Sequence, residues 1–114
     1  MSPAGSARIR RLLDYLERSI EKATQFAVFE PNDERLWISV QRAVENFLHT
    51  VWSNGLLEGS TADEAYFVRC DRTTMTQDDL DNGRLVFLVG VAPAKPAEFE
   101  ILRISQPTGD VPGG

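Results

Sequence analysis

The stretch that most constrains the fold is residues 84–104, RLVFLVGVAPAKPAEFEILRI. It predicts two strands joined by a loop that contains Pro93 and Pro96. The first strand, residues 85–91, is apolar on both faces, because residues two apart share a face of a strand. A strand of this kind is typical of the middle of a covered sheet. We therefore expect the rest of the chain to cover and support it.

The second strand of this pair has a mixed character. Phe99 and Ile101 share one face, and Leu102 and Ile104 lie on the other, but charged residues interrupt both faces. This mixture favours either an edge strand or a strand that is added to the sheet of a neighbouring molecule. The residues themselves leave the two arrangements open.

Two segments have the apolar spacing of long amphipathic helices, residues 7–23 and residues 34–53. Asn32 and Asp33 offer an N-cap to the second helix, and Gly55 can supply the left-handed residue that ends it. The second helix has the longer apolar stripe. We predict that it is the main core helix and packs on one face of the sheet.

Shorter segments complete the predicted order. Residues 24–30 predict a short strand that Pro31 ends, and residues 65–70 predict another. Thr61 and Thr76 each precede an acidic residue at the spacing of a capping box, which predicts a helical turn after each threonine.

The resulting order, α-β-α-β-β-β, predicts an α+β fold. It is a two-layer sandwich in which a small antiparallel or mixed sheet packs against two long helices. One domain would span residues 7–106, between a flexible leader at residues 1–6 and a disordered tail at residues 107–114.

Composition excludes several classes of function. The chain has 114 residues, enough for one modest domain, and no run approaches the ~20 apolar residues that span a bilayer. A net charge of −5 argues against a general nucleic-acid-binding protein. The single cysteine, Cys70, excludes an internal disulfide. We expect neither nucleic acid nor a membrane to be a direct partner.

Residues that often carry catalysis are isolated in this sequence. His49 is the only histidine, and Cys70 ends an apolar strand, so we predict a surface histidine and a buried, inert thiol. The acidic run at residues 78–83 lacks the spacing of a calcium-binding EF-hand loop and predicts a helix-capping turn instead. We therefore predict no catalytic residue, no metal site, no cofactor and no enzymatic activity.

Three long segments resemble one known family. They are FAVFEPND at residues 26–33, AYFVRCDRTTMTQDDLDNGRL at residues 65–85 and GVAPAKPAEFEILRISQ at residues 90–106. They resemble the C-terminal domain of contractile tail sheath proteins, which occur in contractile-tailed phages, R-type bacteriocins and extracellular contractile injection systems. The preceding RIRRLLDYLERSI is similar to the entry helix of that family. The resemblance covers residues 8–106.

The resemblance implies a structural subunit of a contractile sheath. Sheath subunits of that family stack in six-fold helical rings around an inner tube, and contraction drives the tube through a target envelope. Terminal arms add strands to the sheets of neighbouring subunits. The resemblance places the C-terminal arm at residues 97–105, with the inter-subunit residues Glu98, Phe99, Glu100, Ile101, Leu102, Arg103, Ile104 and Ser105.

The resemblance also implies partners and a location. The partners are further copies of the chain, the inner tube protein and, as further candidates, the baseplate and the tail terminator. The particle would be a phage tail or an injection system assembled in the bacterial cytoplasm. An acidic tube surface, as the family implies, requires a basic patch, for which the candidates are Arg8, Arg10, Arg11, Arg69 and Arg72.

Two alternatives stay open at this point. By default, Arg8, Arg10 and Arg11 are interpreted as part of a solvent-exposed helix face. Family sheath proteins are several times longer than this chain, so it is alternatively a non-polymerising adaptor, cap or fragment that binds a sheath end or a baseplate.

Overall fold

The computed structural model describes residues 6–110, and in that range two long helices pack on a three-stranded sheet. The long helices and the strands are α1 (Ala7–Ala23), α2 (Glu34–Ser53), β1 (Tyr66–Arg69), β2 (Arg84–Val91) and β3 (Glu100–Pro107). The connecting elements are the short helices α3 (Ala62–Ala65) and α4 (Gln77–Asp81) and the 3-10 helices Gln25–Phe29 and Arg72–Thr74. The predicted α+β class is confirmed.

The sheet is antiparallel throughout and has the order β1–β2–β3. The middle strand β2 pairs Val89 with Val68 of β1 on one side and with Leu102 of β3 on the other. The residues of β2 that face the helices are all fully buried, and they are Leu85, Phe87, Val89 and Val91. The prediction that this strand lies in the middle of a covered sheet is confirmed, and the mixed-sheet alternative is excluded.

One hydrophobic core joins the helix layer to the sheet. Helix α2 contributes a stripe at helical spacing, whose buried members are Leu36, Val40, Val44, Leu48 and Val51. Helix α1 adds Leu16 and Ile20, and the flanking strands add Val68 and Ile104. Because each such side chain stabilises the fold by roughly 1.5–3 kcal/mol when buried, these residues hold the two layers together.

Side-chain caps define the starts of both long helices. The Ser6 hydroxyl accepts a hydrogen bond from the Ile9 backbone N–H at 3.1 Å, and the Asp33 carboxylate accepts one from the Leu36 N–H at 3.1 Å. Helix α2 ends at Asn54, and Gly55 follows with φ of 82°. The predicted bounds of both helices are confirmed, because cap and periodicity point to the same residues.

The predicted strand at residues 24–30 is wrong, because this segment forms the 3-10 helix Gln25–Phe29. Its backbone groups are bonded locally, from Ala27 N–H to Thr24 C=O and from Glu30 N–H to Ala27 C=O, both at 3.1 Å. The Thr24 hydroxyl also donates to the Ile20 carbonyl at 2.8 Å and ties the segment to α1. Local bonding therefore replaces the ladder that a strand would need.

The C-terminal end also differs from its prediction. Strand β3 runs from Glu100 to Pro107, and the residues after it are bound to the body of the domain instead of forming a disordered tail. The Thr108 hydroxyl donates to the Gly83 carbonyl at 2.8 Å, and the Asp110 carboxylate accepts from the Asn32 N–H at 2.8 Å. The rest of the predicted tail, residues 111–114, and residues 1–5 of the predicted leader lie outside the described residues.

Two leucines offer a matched test of this core. Leu48 is fully buried, whereas Leu56 is 48% exposed in the loop after α2. We expect Leu48→Ala to lower the free energy of unfolding by about 2–5 kcal/mol, because it leaves a cavity. We expect Leu56→Ala to change it by less than about 0.5 kcal/mol. Urea unfolding followed by the fluorescence of Trp37 and Trp52 measures both, and equal losses would contradict the described packing.

Candidate interaction site

Six of the eight residues predicted to form an inter-subunit arm lie in the edge strand of the molecule's own sheet. Glu100, Ile101, Leu102, Arg103, Ile104 and Ser105 all pair with β2, and Glu98 and Phe99 precede them. Ile104 faces the helices and is buried, whereas Ile101 and Arg103 face the other side and are exposed. Of the two arrangements that the residues left open, the described one is the edge strand. Strand addition between molecules stays a prediction.

The side of the sheet that faces away from α1 and α2 is called the outer face here. Two neighbouring rows of side chains cross it, and the register of the strands defines both. One row is apolar and consists of Phe67, Gly90 and Ile101, and the other consists of Arg69, Leu88 and Arg103. The outer face therefore combines apolar surface with two cations.

An aromatic pair extends the apolar row. The Phe99 ring meets the Phe67 ring edge to face, with centroids 5.1 Å apart and planes at 81°. The Phe67 ring lies over Gly90, where an added β-carbon would overlap it. Phe99 is 42% and Ile101 is 54% exposed. A contiguous apolar patch of this kind marks a candidate interaction surface.

The opposite end of the outer face is covered. Helix α4 and the 3-10 helix Arg72–Thr74 lie against β2 there, and Val86 is fully buried. Arg84 forms ion pairs with Asp79 at 3.0 Å and with Asp78 at 3.6 Å. Within residues 6–110, Arg69 and Arg103 have no carboxylate within ion-pair distance. Both guanidinium groups remain available to a partner.

The acidic run has a structural role. Thr76 and Asp79 cap α4 reciprocally: the Asp79 carboxylate accepts from the Thr76 N–H at 2.9 Å, and the Thr76 hydroxyl accepts from the Asp79 N–H at 3.0 Å. The Thr76 backbone N–H, then the Thr76 side chain, Arg84 and Arg103, hold the pKa of Asp79 below its usual range. The capping-turn prediction is confirmed. Among the described residues, no cluster of carboxylates, histidine and cysteine is suited to a metal ion.

The five arginines predicted to contact a tube fall into two groups. Arg8, Arg10 and Arg11 are exposed on the first turns of α1, in the helix layer. Arg69 lies on the outer face, and Arg72 opens the 3-10 helix after β1, where its guanidinium donates to Gln77 at 2.9 Å. Arg72 also lines a pocket with Glu34 and Trp37 of α2, so the second group lies on and just after β1, away from the first turns of α1. They therefore form two basic surfaces instead of one.

The isolated reactive residues occupy structural positions. Cys70 is buried, and burial together with the Asp71 carboxylate raises the pKa of its thiol to about 12. His49 is exposed on α2, where its Nδ1 lies 3.2 Å from the Tyr66 hydroxyl and its ring packs against Trp52. These positions confirm the predictions of a surface histidine and of a buried thiol, and the raised pKa keeps that thiol protonated near neutral pH.

Sequence reasoning missed one exposed aromatic residue. Phe29 ends the 3-10 helix Gln25–Phe29 and is 84% exposed, and the adjacent Val28 is also exposed. The prediction of a strand at residues 24–30 concealed it. The available signal is a phenylalanine that directly precedes the polar turn Glu30-Pro31-Asn32 and lies outside the apolar stripe of either long helix.

Comparisons with known proteins agree on one family. The model of the phage tail sheath C-terminal domain matches residues 2–106. A chain in the cryo-EM structure of the anti-feeding prophage (AFP) baseplate, six-fold symmetrised, is similar, with a TM-score of 0.72 and 48% identity over 84% of this chain and 27% of that chain.

A second solved structure is the PVC sheath complex of an extracellular contractile injection system in its contracted state. Its chain has a TM-score of 0.70 and 43% identity over 84% of this chain and 27% of that chain. No curated protein sequence matches. The present chain thus spans about a quarter of the length of these two structural relatives.

Among residues 6–110, none of the helices combines the length and the hydrophobicity that a membrane crossing requires.

Asp79 makes stability depend on pH in a defined direction. Its pKa is lower in the folded chain than in the unfolded one, so its contribution is present above the unfolded value of about 3.9 and is lost as the pH falls through the folded value. We expect Asp79→Asn to be clearly less stable than the parent at pH 7, and this difference to shrink below about pH 4. Urea unfolding at pH 7 and pH 3 measures it, with exposed Asp81→Asn as the control. A difference that does not change with pH would contradict this role.

Proposed function

The chain belongs to the phage tail sheath C-terminal domain family, and from this we propose that it is the core domain of a structural subunit in a contractile sheath. The observation that carries the proposal is that the family match includes α1, α2 and nearly the whole sheet. A sheath-related structural role follows from family membership. We further propose that the sheath consists of six-fold rings, that it surrounds an inner tube and that it contracts.

Inter-subunit strand addition would use the free edge of β3. In the order β1–β2–β3, the third strand has a neighbour on one side only. If β3 left its own sheet to join another, Ile104 and its buried cross-strand partner Phe87 would lose their cover. Burial of each such side chain contributes roughly 1.5–3 kcal/mol. We therefore propose that residues 98–105 accept a strand from a neighbouring subunit at this edge.

The proposed movement is a change of packing between rigid bodies. The domain has one continuous core that joins both layers, and the segment after β3 is held to the body by the hydrogen bond from the Asn32 N–H to the Asp110 carboxylate. Such a body can rotate between two arrangements of a helical assembly without unfolding. The proposed location is a phage tail or a contractile injection particle that assembles in the bacterial cytoplasm, and we propose no enzymatic step and no cofactor.

A second candidate function is an adaptor, cap or baseplate-bound sheath domain that does not polymerise. The structural relative from the AFP baseplate favours this candidate. It predicts a monomer that binds one end of a sheath or a baseplate. The adaptor function requires the same fold as the sheath function, and the two differ only in whether the chain associates with itself.

Electron microscopy distinguishes the two functions. The purified chain would be examined by negative stain alone and after mixing with its cognate tube protein. Stacked rings or helical cylinders would support a self-assembling sheath unit. Small monodisperse particles in both samples would contradict self-assembly and support the adaptor. Deletion of residues 97–114 is not a suitable control, because it removes Ile104 from the core.

The two arginine groups give a test of tube binding. We expect replacement of Arg8, Arg10 and Arg11 by glutamate to weaken co-sedimentation with an acidic tube by about tenfold, because each exposed charge pair contributes up to about 1 kcal/mol. Arg69→Glu with Arg72→Glu should have a smaller effect, since the Arg72 side chain is already bonded to Gln77. The matched control is Arg42→Glu on α2. Unchanged binding in every variant would contradict the tube assignment.

A further inference from the structure

Two exposed features of the domain have opposite character. The first is the outer-face patch, defined as Phe67, Phe99 and Ile101 with Leu88, Arg69 and Arg103 beside them. The second is the Phe29 knob, defined as Val28, Phe29 and Glu30. One is a broad apolar surface with cations at its side, and the other is a protruding aromatic ring next to a carboxylate.

The knob is held rigidly. The Glu30 N–H donates to the Ala27 carbonyl at 3.1 Å, and the Glu30 carbonyl accepts from the Gly109 N–H at 2.7 Å. These bonds come from both sides of the turn and fix the backbone on which Phe29 stands. A rigid side chain loses little conformational freedom when it docks, so its burial contributes more to affinity.

Charged groups of the knob and of the patch have opposite signs and can pair. Near the knob lie Glu30, Asp33, Glu34 and Asp110, together with the cations Arg35 and Arg84, and Arg84 is paired with Asp78 and Asp79. The patch carries Arg69 and Arg103, which form no ion pair within residues 6–110.

Acidic residues also lie near the patch. Glu98 and Glu100 adjoin Phe99 in the sequence, and the Asp71 and Asp79 carboxylates, which interact with Arg69 and Arg103, accept hydrogen bonds in their own capping boxes. Because Arg69 and Arg103 form no ion pair within residues 6–110, their charges complement the Glu30 carboxylate of the knob.

The two features lie at opposite ends of the sheet. The turn that carries the knob is fixed at the start of β2, where the Asn32 side-chain amide donates to the Arg84 carbonyl at 3.1 Å. The apolar row of the patch crosses β2 at Gly90, six residues further along. At about 3.3 Å per residue, the separation is roughly 20 Å. A molecule cannot place its own knob on its own patch.

We propose that the Phe29 knob of one copy docks on the outer-face patch of a second copy, with Glu30 next to Arg103 or Arg69. The two surfaces differ, so each copy keeps a free patch and a free knob after the contact forms. Such a head-to-tail contact generates an open helical array instead of a closed dimer. The inference rests on the proposed function as a self-assembling sheath unit and names a contact for it.

Disulfide trapping tests the pairing directly. One protein carries Glu30→Cys and the other carries Ile101→Cys. The buried Cys70 stays silent, because the pKa of its thiol is about 12. We expect an oxidised dimer in the mixture and none in either protein alone. The control mixture replaces Glu30→Cys by Tyr15→Cys, which lies at an exposed aromatic position on α1.

Two results would overturn the proposal. If the Ile101→Cys protein alone forms as much disulfide-linked dimer as is expected for the mixture, the contact is a symmetric one between two patches. Absence of a mixed dimer, while a maleimide still labels both cysteines, would show that the knob and the patch do not meet. The second result includes the case in which another partner or another segment covers either surface.

Sedimentation velocity provides an independent measure. We expect Phe29→Ser to weaken self-association by about 30-fold, as removal of a central aromatic anchor does, and Tyr15→Ser to leave it unchanged. Glu30→Arg and Arg103→Glu should each weaken it, and a chain that carries both changes should recover most of the loss. Urea unfolding midpoints confirm that each variant is folded. No recovery in the double variant would overturn the charge pairing.

The outcomes separate this contact from the proposed function. Cylinders or rings in the electron microscope without a mixed dimer would overturn the contact and leave the sheath function standing. A mixed dimer without any ring, cylinder or tube binding would support the contact and contradict the sheath function.

Discussion

Burial of the central strand β2 is the constraint on which the rest of the structure depends. Its helix-facing side chains are fully buried, and they require cover along the whole length of the strand. Helix α2 contributes the longest buried stripe to the core in which these side chains lie, and α1, Val68 and Ile104 also belong to that core. Since apolar burial is the main favourable term in folding, the positions of both helices and both edge strands follow from this one strand.

The same constraint explains why the two faces of the sheet differ. Both faces of β2 are apolar, but the long helices cover only one of them. On the other face, α4 and the turn before it cover the end near Val86, while the end near Gly90 stays open. The domain therefore has a covered inner face and a half-open outer face, and the open end of the outer face is available to a neighbouring molecule.

The edge strand β3 connects stability with assembly. Its inner residue Ile104 belongs to the core, so the strand is held in its own sheet, while its outer residues Ile101 and Arg103 and its free backbone edge face away. The strand thus presents two different surfaces to a neighbour, one of backbone groups and one of side chains. Both surfaces can be used together, because one lies in the plane of the sheet and the other lies above it.

The sequence by itself determined the α+β class, the bounds of α1 and α2, the central position of β2 and the resemblance to sheath domains. Long periodic stripes with caps, and one strand apolar on both faces, leave few alternatives. The tertiary structure decided that Gln25–Phe29 form a 3-10 helix with Phe29 exposed, that Glu100–Pro107 pair with β2 as an edge strand, and that the arginines form two groups. Those outcomes depend on strand register and on which residues lie opposite each other, and a short segment carries too little periodicity to specify either.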